Sequence, residues 1–272
     1  MTETVALTPA LGVEVTGVSA DPQGNRFDEL IPRCLEALKW RGVLLIRGLD
    51  LDDEAQLQWS RRLGTVLAPG GREIFVVTLD RDKNPMADYL RGTFHWHIDD
   101  TTSEVPAKAT MLTARHVAMV GGGTEFASTY AAYEALPEVE RKRYEGVRVV
   151  HSLEASQRLV HPDPTDEQVA AWRRGPRRET SLVWQRRDGR RSLAIGATVD
   201  HVVGMPADES RALLDEILAW STQERFCYSH EWRVGDVVIW DNTGMLHRAL
   251  PYDPSSERTM HRTTIAGDEA WA

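Results

Sequence analysis

His95-Trp96-His97-Ile98-Asp99-Asp100 places two imidazoles and two carboxylates within six residues, and the reading of the whole chain turns on it. The β-favouring residues Thr93, Phe94, Trp96 and Ile98 predict a strand here. Strand side chains alternate faces, so His95, His97 and Asp99 would share one face while Trp96, Ile98 and Asp100 take the other. A histidine and a carboxylate two residues apart can grip one metal ion from one side. A further histidine from elsewhere would complete the two-His, one-carboxylate set of non-haem Fe(II) oxygenases, which leaves coordination positions open for reactants. The His-x-Asp spacing is weak evidence by itself. With nine His and 41 acidic residues it can arise by chance on a polar surface strand.

The 272 residues suit one large domain or two small ones, and 42% apolar content is enough for a sizeable core. A formal net charge of -9 argues against sequence-independent nucleic-acid binding, which needs a basic face. Two cysteines, Cys34 and Cys227, are too few for a disulfide framework. No apolar run is long enough to span a membrane and the N-terminus does not resemble a signal peptide, so the expected location is the cytoplasm.

Residues 11–19 read as a short strand. Phe27, Leu30, Ile31, Cys34, Leu35 and Leu38 recur at helical spacing, with Cys34 as a small buried hydrophobe on the apolar stripe. Val43 to Ile46 predicts a buried strand, and Asp52 or Asp53 can cap a helix over 53–63. Residues 67–92 form a long connection punctuated by Pro69-Gly70-Gly71, Pro85 and Gly92, and are expected to act as a lid. Strands follow at 109–115, 124–130 and 147–151, with Gly121-Gly122-Gly123 as a turn and a charged helix over 136–144. The Pro-, Arg- and Asp-rich residues 160–180 read as an exposed insertion. Asp188-Gly189 marks a hairpin, 207–221 a second helix, and 226–232, 236–240, 245–250 and 258–265 the last strands. Strands in succession with helices at the flanks predict a mainly β, α+β fold around a jelly-roll (double-stranded β-helix, cupin-like) core, in one domain spanning 1–272.

The C-terminal third supplies what the opening stretch lacks. Gly235-Asp236-Val237-Val238-Ile239-Trp240-Asp241-Asn242 ends a strand in a turn, and the next strand delivers His247. In the final strand Arg258, Met260 and Arg262 share a face. Two Arg on an inward face are costly unless they meet anions, and Arg can bind a carboxylate bidentately.

This ordered set resembles the taurine dioxygenase and 2,4-dichlorophenoxyacetate dioxygenase family of Fe(II)/2-oxoglutarate-dependent oxygenases. The likeness lies in Trp96-His97-x-Asp99, in Gly121-Gly122-x-Thr124, in the Gly235-Asp236 to His247 segment and in Arg258-x-Met260-x-Arg262-x-x-Ile265. It runs from about residue 5 to 267. It implies that His97, Asp99 and His247 hold Fe(II). It also implies that Arg258, helped by Thr124, grips the distal carboxylate of 2-oxoglutarate, with O2 as the other co-substrate. Arg262 would lie near the other end of the co-substrate or the substrate's anionic group. Thr93, Ser152 and Leu153 would line the substrate pocket, with Phe75 among the apolar residues of the lid. At Ser152-Leu153 the sequence departs from the taurine enzyme, which argues against taurine. The implied reaction releases succinate and CO2 and hydroxylates a C–H bond of a small organic, anionic substrate. Asp99 fills the position a halide would need, which disfavours halogenation.

Two other readings stay open on sequence. A cupin-type metal enzyme would use His95, His97, an acid such as Glu104 and His247 without 2-oxoglutarate. A non-catalytic jelly-roll module would bind without redox work. No macromolecular or membrane partner is expected, and self-association into a homo-oligomer is left open.

Overall fold

The computed structural model describes residues 3–18 and 27–271, with side chains in the first helix from Leu30 onward. Ser19, predicted to end the first strand, and the side chain of Phe27, predicted to open the first helical stripe, lie outside the described residues.

The chain opens with β1 (Glu3–Ala6), β2 (Val13–Thr16), α1 (Phe27–Arg41), β3 (Val43–Ile46) and α2 (Asp53–Leu63). Then come β4 (Phe75–Val77), α3 (Ala87–Leu90), β5 (Ala109–His116), β6 (Thr124–Ser128), α4 (Thr129–Glu134) and α5 (Glu138–Tyr144). The middle holds β7 (Arg148–Ser152), α6 (Leu153–Arg158), α7 (Asp166–Arg173), β8 (Arg177–Ser181), β9 (Val183–Gln185), β10 (Arg191–Leu193) and β11 (Val199–Val202). The end holds α8 (Ala207–Ser221), β12 (Cys227–His230), β13 (Val237–Asp241), β14 (Met245–Ala249) and β15 (Thr259–Ile265).

A seven-stranded sheet in the order β1-β2-β3-β13-β5-β15-β4 faces a three-stranded sheet β12-β6-β14, giving a jelly-roll core with flanking helices. Period-two alternation explains the layers. In β13, Val237 and Ile239 pack outward with Leu44, Ile46 and Met111 against Leu30, Ile31, Cys34 and Leu38 of α1 and Trp59 and Leu63 of α2. Val238 and Trp240 point inward with Val43, Leu45, Leu112 and Met260 against Phe126 and Met245 of the small sheet. Both faces of β3 are therefore covered, which is why Val43 to Ile46 reads as an unbroken apolar run. Burying each such side chain contributes roughly 1.5–3 kcal/mol relative to exposure. Behind the small sheet, Leu246 of β14 joins Val149, Leu193, Leu213, Leu214 and Ile217. Its neighbour His247 must therefore face the interior between the sheets.

Most predicted elements are present. Asp52 caps α2 by accepting from the Ala55 amide at 2.8 Å. Asp188-Gly189 closes the β9–β10 hairpin, and Cys34 is buried, which pushes its thiol up to about 12. Two expectations are corrected, and the structure adds detail to two more. The strand from Thr124 stops at Ser128, whose hydroxyl accepts from the Ala131 amide and starts α4. Residues 160–180 are largely exposed and contain α7, opened by a Thr165–Gln168 capping box, and part of β8, which pairs with β7. In 67–92, β4 is built into the large sheet as its edge, with Phe75 opposite Arg262 of β15.

The second correction concerns the opening stretch. Residues 91–94 form a 3-10 turn, His97 makes one isolated bridge with His247, and Asp99-Asp100 form a turn. Asp100 takes a left-handed φ of 59°. Its carboxylate offsets that cost by binding the Ser103 hydroxyl and the Ala107 amide. The extended segment is held by its single bridge to His247 and ends at the 99–100 turn, so it never builds a ladder.

Candidate metal centre

His97 and His247 exchange both backbone hydrogen bonds, at 3.0 Å and 2.8 Å, so both side chains project from the same side of the bridge. Their ring centroids are 4.1 Å apart. The His97 segment is clamped from its other edge as well, since the Ala197 amide donates to the Trp96 carbonyl at 2.8 Å. Gly196 makes that approach feasible: a Cβ there would lie 2.7 Å from the Trp96 carbonyl oxygen.

The turn at Asp99 brings its Oδ1 3.8 Å from His97 Nε2 and 3.7 Å from His247 Nε2. Ligand atoms of the three side chains all lie within 4.8 Å of one another. Donors about 2.1 Å from one ion can be no more than about 4.2 Å apart, and the Asp99 oxygen meets that limit with each histidine. Among the described residues no other His, Cys, Asp or Glu joins this cluster, His95 and Glu104 included. The His95 ring lies near Arg248, and burial followed by that guanidinium lowers its pKa. Its carbonyl does contribute, by accepting from His97 Nδ1 at 2.9 Å. A carbonyl can only accept, so Nδ1 carries the proton and Nε2 offers its lone pair to the centre.

Protonation suits a metal site. Burial, then the neighbouring His247, lowers His97 to about 3, so the imidazole is neutral at pH 7. Burial alone would raise the Asp99 carboxyl. His247, Arg262 and His97 together outweigh it and hold Asp99 well below the usual carboxylate range.

The three groups open into a narrow cavity of about 50 Å³, also lined by Thr93, Thr124, Arg258 and Arg262. Arg258 is buried at 3% exposure. Its Nε donates to the Gly122 carbonyl at 3.0 Å and its guanidinium lies 4.8 Å from the Tyr252 ring centre. It forms no ion pair with a carboxylate among the described residues. Gly122, at φ 70°, explains the triple glycine: a Cβ there would lie 2.9 Å from Arg258 Cδ and Nε. Thr124 Oγ1 accepts from Trp232 Nε1 at 2.9 Å, which leaves its own O–H free to donate. Arg262 lies over the Phe75 ring at 4.8 Å, and its nearest carboxylate is Asp99 at 3.8 Å. Phe75 thus supports Arg262 instead of lining this cavity. Thr93 lines the wall, but its hydroxyl donates to the Leu90 carbonyl at 2.6 Å. Ser152 and Leu153 do not line the cavity, and the Ser152 hydroxyl instead accepts from the Ala155 amide to cap α6. A roomier cavity of about 490 Å³ shares Asp99 and Arg262 with the first and is lined by Leu67, Ala68 and Pro69.

Sequence reasoning passed over Thr110 and Asn242. Thr110 Oγ1 donates to Asp99 Oδ2 at 2.8 Å, and Asn242 Nδ2 donates to Thr110 Oγ1 at 2.8 Å. Asn242 stands in the Gly235-Asp236 to His247 segment that carries the family resemblance, as a turn residue with no role of its own at the site. Thr110 carried no local signal.

Against known proteins, residues 3–264 match the model of the "Taurine catabolism dioxygenase TauD, TfdA family". The chain belongs to that family. It is 33% identical over 279 residues to an (S)-phenoxypropionate/alpha-ketoglutarate-dioxygenase of Sphingobium herbicidovorans, covering 97% of this chain and 94% of that one. It is 34% identical over 250 residues to an alpha-ketoglutarate-dependent 2,4-dichlorophenoxyacetate dioxygenase of Cupriavidus pinatubonensis, covering 84% and 85% of the two chains. Among solved structures it resembles AAD-2 in complex with Mn(II) and N-oxalylglycine, with a TM-score of 0.84, 27% identity and full coverage of both chains. The protein is an α-ketoglutarate-dependent dioxygenase, an oxidoreductase, and the readings without 2-oxoglutarate or without catalysis fall away. Among the described residues no helix is long and apolar enough to cross a membrane.

Proposed function

We propose that the enzyme hydroxylates a small organic anion at a centre in which His97, Asp99 and His247 hold Fe(II). With 2-oxoglutarate and O2, the ion would supply the oxidising chemistry, in which release of succinate and CO2 is coupled to oxidation of a substrate C–H bond. The single observation that carries the co-substrate assignment is Arg258, a buried guanidinium beside the triad with no carboxylate partner among the described residues. Such a group needs an anion. The distal carboxylate of 2-oxoglutarate would be received by Arg258 and by the free O–H of Thr124. Val77, Leu90 and Leu112 form the apolar wall beside them and would keep water from the reacting atoms.

Arg262 supports an anionic substrate. A divalent ion and two guanidiniums bring four positive charges, while Asp99 and 2-oxoglutarate bring three negative ones. Among the described residues Arg262 has no acid of its own, because Asp99 would serve the metal and both Asp100 oxygens are engaged by Ser103 and Ala107. The roomier cavity on the Arg262 side has the volume of a ligand site. The names of the relatives from Sphingobium herbicidovorans and Cupriavidus pinatubonensis specify phenoxyalkanoates, which are carboxylates. The segment 67–92, which contributes Leu67 to Pro69 to one cavity and Val77 and Leu90 to the other, would act as the cover.

The test is succinate release with Fe(II) and 2-oxoglutarate, comparing aryloxyalkanoic acids with their neutral amides. The acids should stimulate release and the amides should not, and Arg262→Gln should erase the preference without abolishing 2-oxoglutarate binding. Equal stimulation by acid and amide rejects the anionic substrate and leaves the reaction class intact.

A further inference from the structure

Asp99 has two carboxylate oxygens, and the structure treats them differently. Oδ1 faces both histidines, while Oδ2 is held by the Thr110 hydroxyl at 2.8 Å. The ionised carboxylate can only accept, so Thr110 must spend its one proton on Asp99. The Thr110 oxygen is then left as an acceptor, and Asn242 Nδ2 fills that role at 2.8 Å. The chain therefore has one polarity, Asn242 to Thr110 to Asp99. Turning the Asn242 amide over would set its oxygen against an oxygen with no proton left to give.

Thr110 and Asn242 are both fully buried, and Asn242 Oδ1 has no partner among the described residues. A buried amide with an unmet acceptor is costly and calls for an explanation. Thr110 sits in β5 opposite Trp240 of β13, and the backbone N–H of Asn242 donates to the Lys108 carbonyl at 3.0 Å. The turn that carries Asn242 leads directly into β14 and His247. One turn thus serves two of the three candidate ligands.

We propose that Thr110 and Asn242 are positioning residues that make Asp99 a one-oxygen ligand. Held by Thr110, Oδ2 cannot swing toward the ion and occupy a position that 2-oxoglutarate or O2 needs. The proposal rests on reading His97, Asp99 and His247 as the metal site.

The test uses the full chain, freed of metal and titrated with Mn(II), with binding followed by electron paramagnetic resonance. Thr110→Val keeps the shape and removes the hydroxyl, and should weaken Mn(II) about 10–100-fold, the usual effect of losing a partner behind a metal ligand. Asn242→Ala should weaken it less, because the Thr110–Asp99 bond survives. Thr110→Ser should restore most of the affinity. With Mn(II) saturating, Thr110→Val should also bind N-oxalylglycine more weakly than wild type. A Thr110→Val protein that loses thermal stability in chelator but keeps wild-type Mn(II) and N-oxalylglycine affinities would show a merely structural bond and overturn the proposal. If Thr110→Val does not fold, Asn242→Ala decides by the same readout, and wild-type affinity there overturns it. Wild-type protein that binds no divalent ion would overturn the metal-site reading itself, and this proposal with it.

Discussion

His97 and His247, 150 positions apart in the sequence, are joined by a reciprocal pair of backbone hydrogen bonds of 3.0 Å and 2.8 Å. That bridge sets their imidazoles side by side with ring centroids 4.1 Å apart. Because backbone holds them, replacing one ring should leave the other in place. His97→Ala and His247→Ala should each abolish detectable Mn(II) binding in a titration calorimeter, while His95→Ala should retain it, since only the His95 carbonyl is used. Loss of metal in His95→Ala with retention in His97→Ala would show that the ligand assignment is off by one alternation.

Arg258 should set co-substrate affinity. Removing one partner of a buried charge-assisted pair costs about 2–5 kcal/mol. At about 1.4 kcal/mol per decade, Arg258→Ala should weaken 2-oxoglutarate by roughly 30-fold or more. Binding measured in the presence of Mn(II) without O2 isolates this step from turnover. An unchanged affinity rejects the assignment.

Gly122 should be intolerant of a side chain for two separate reasons. Its φ of 70° strains any L-residue, and a Cβ would meet Arg258 at 2.9 Å. Gly122→Ala should lose about 1–2 kcal/mol of stability from the backbone alone. It should also weaken 2-oxoglutarate by displacing Arg258. Urea denaturation and co-substrate titration read the two effects independently.

Stability should fall in mild acid. His151 is fully buried, and burial lowers it from 6.5 to about 4. Between those values the unfolded chain binds a proton that the folded protein refuses. Stability is therefore complete above the unfolded value and declines as pH falls, by about 1.4 kcal/mol per pH unit. His97, lowered to about 3 by burial first, adds a slope of the same sign in metal-free protein. Urea midpoints at pH 7 and pH 5 in chelator should show the loss, and His151→Gln should remove one histidine's share of it.

Much of this protein is determined locally. The buried run of Val43 to Ile46, the cap at Asp52, the hairpin at Asp188-Gly189 and the stripe of Leu213, Leu214 and Ile217 each follow from periodicity or turn chemistry between near neighbours. His97, Asp99, His247, Arg258 and Arg262 were singled out differently, because short patterns that are weak one by one resemble a known family when taken in order. What locality could not supply was the path between them. The β propensity of Thr93, Phe94 and Trp96 pointed to a strand, but a 3-10 turn, a single bridge and the left-handed Asp100 took its place. Propensity describes a residue's neighbours along the chain, whereas the partners that fixed this segment, β14 and the loop at Gly196, come from far away. Only the tertiary structure decided that Phe75 supports Arg262 and that the Ser152 hydroxyl caps a helix. It alone decided that Thr110, an unremarked residue in an apolar strand, holds one oxygen of Asp99. A hydrogen bond depends on a distance of about 3 Å, and such distances between remote residues exist only once the two sheets have closed on each other.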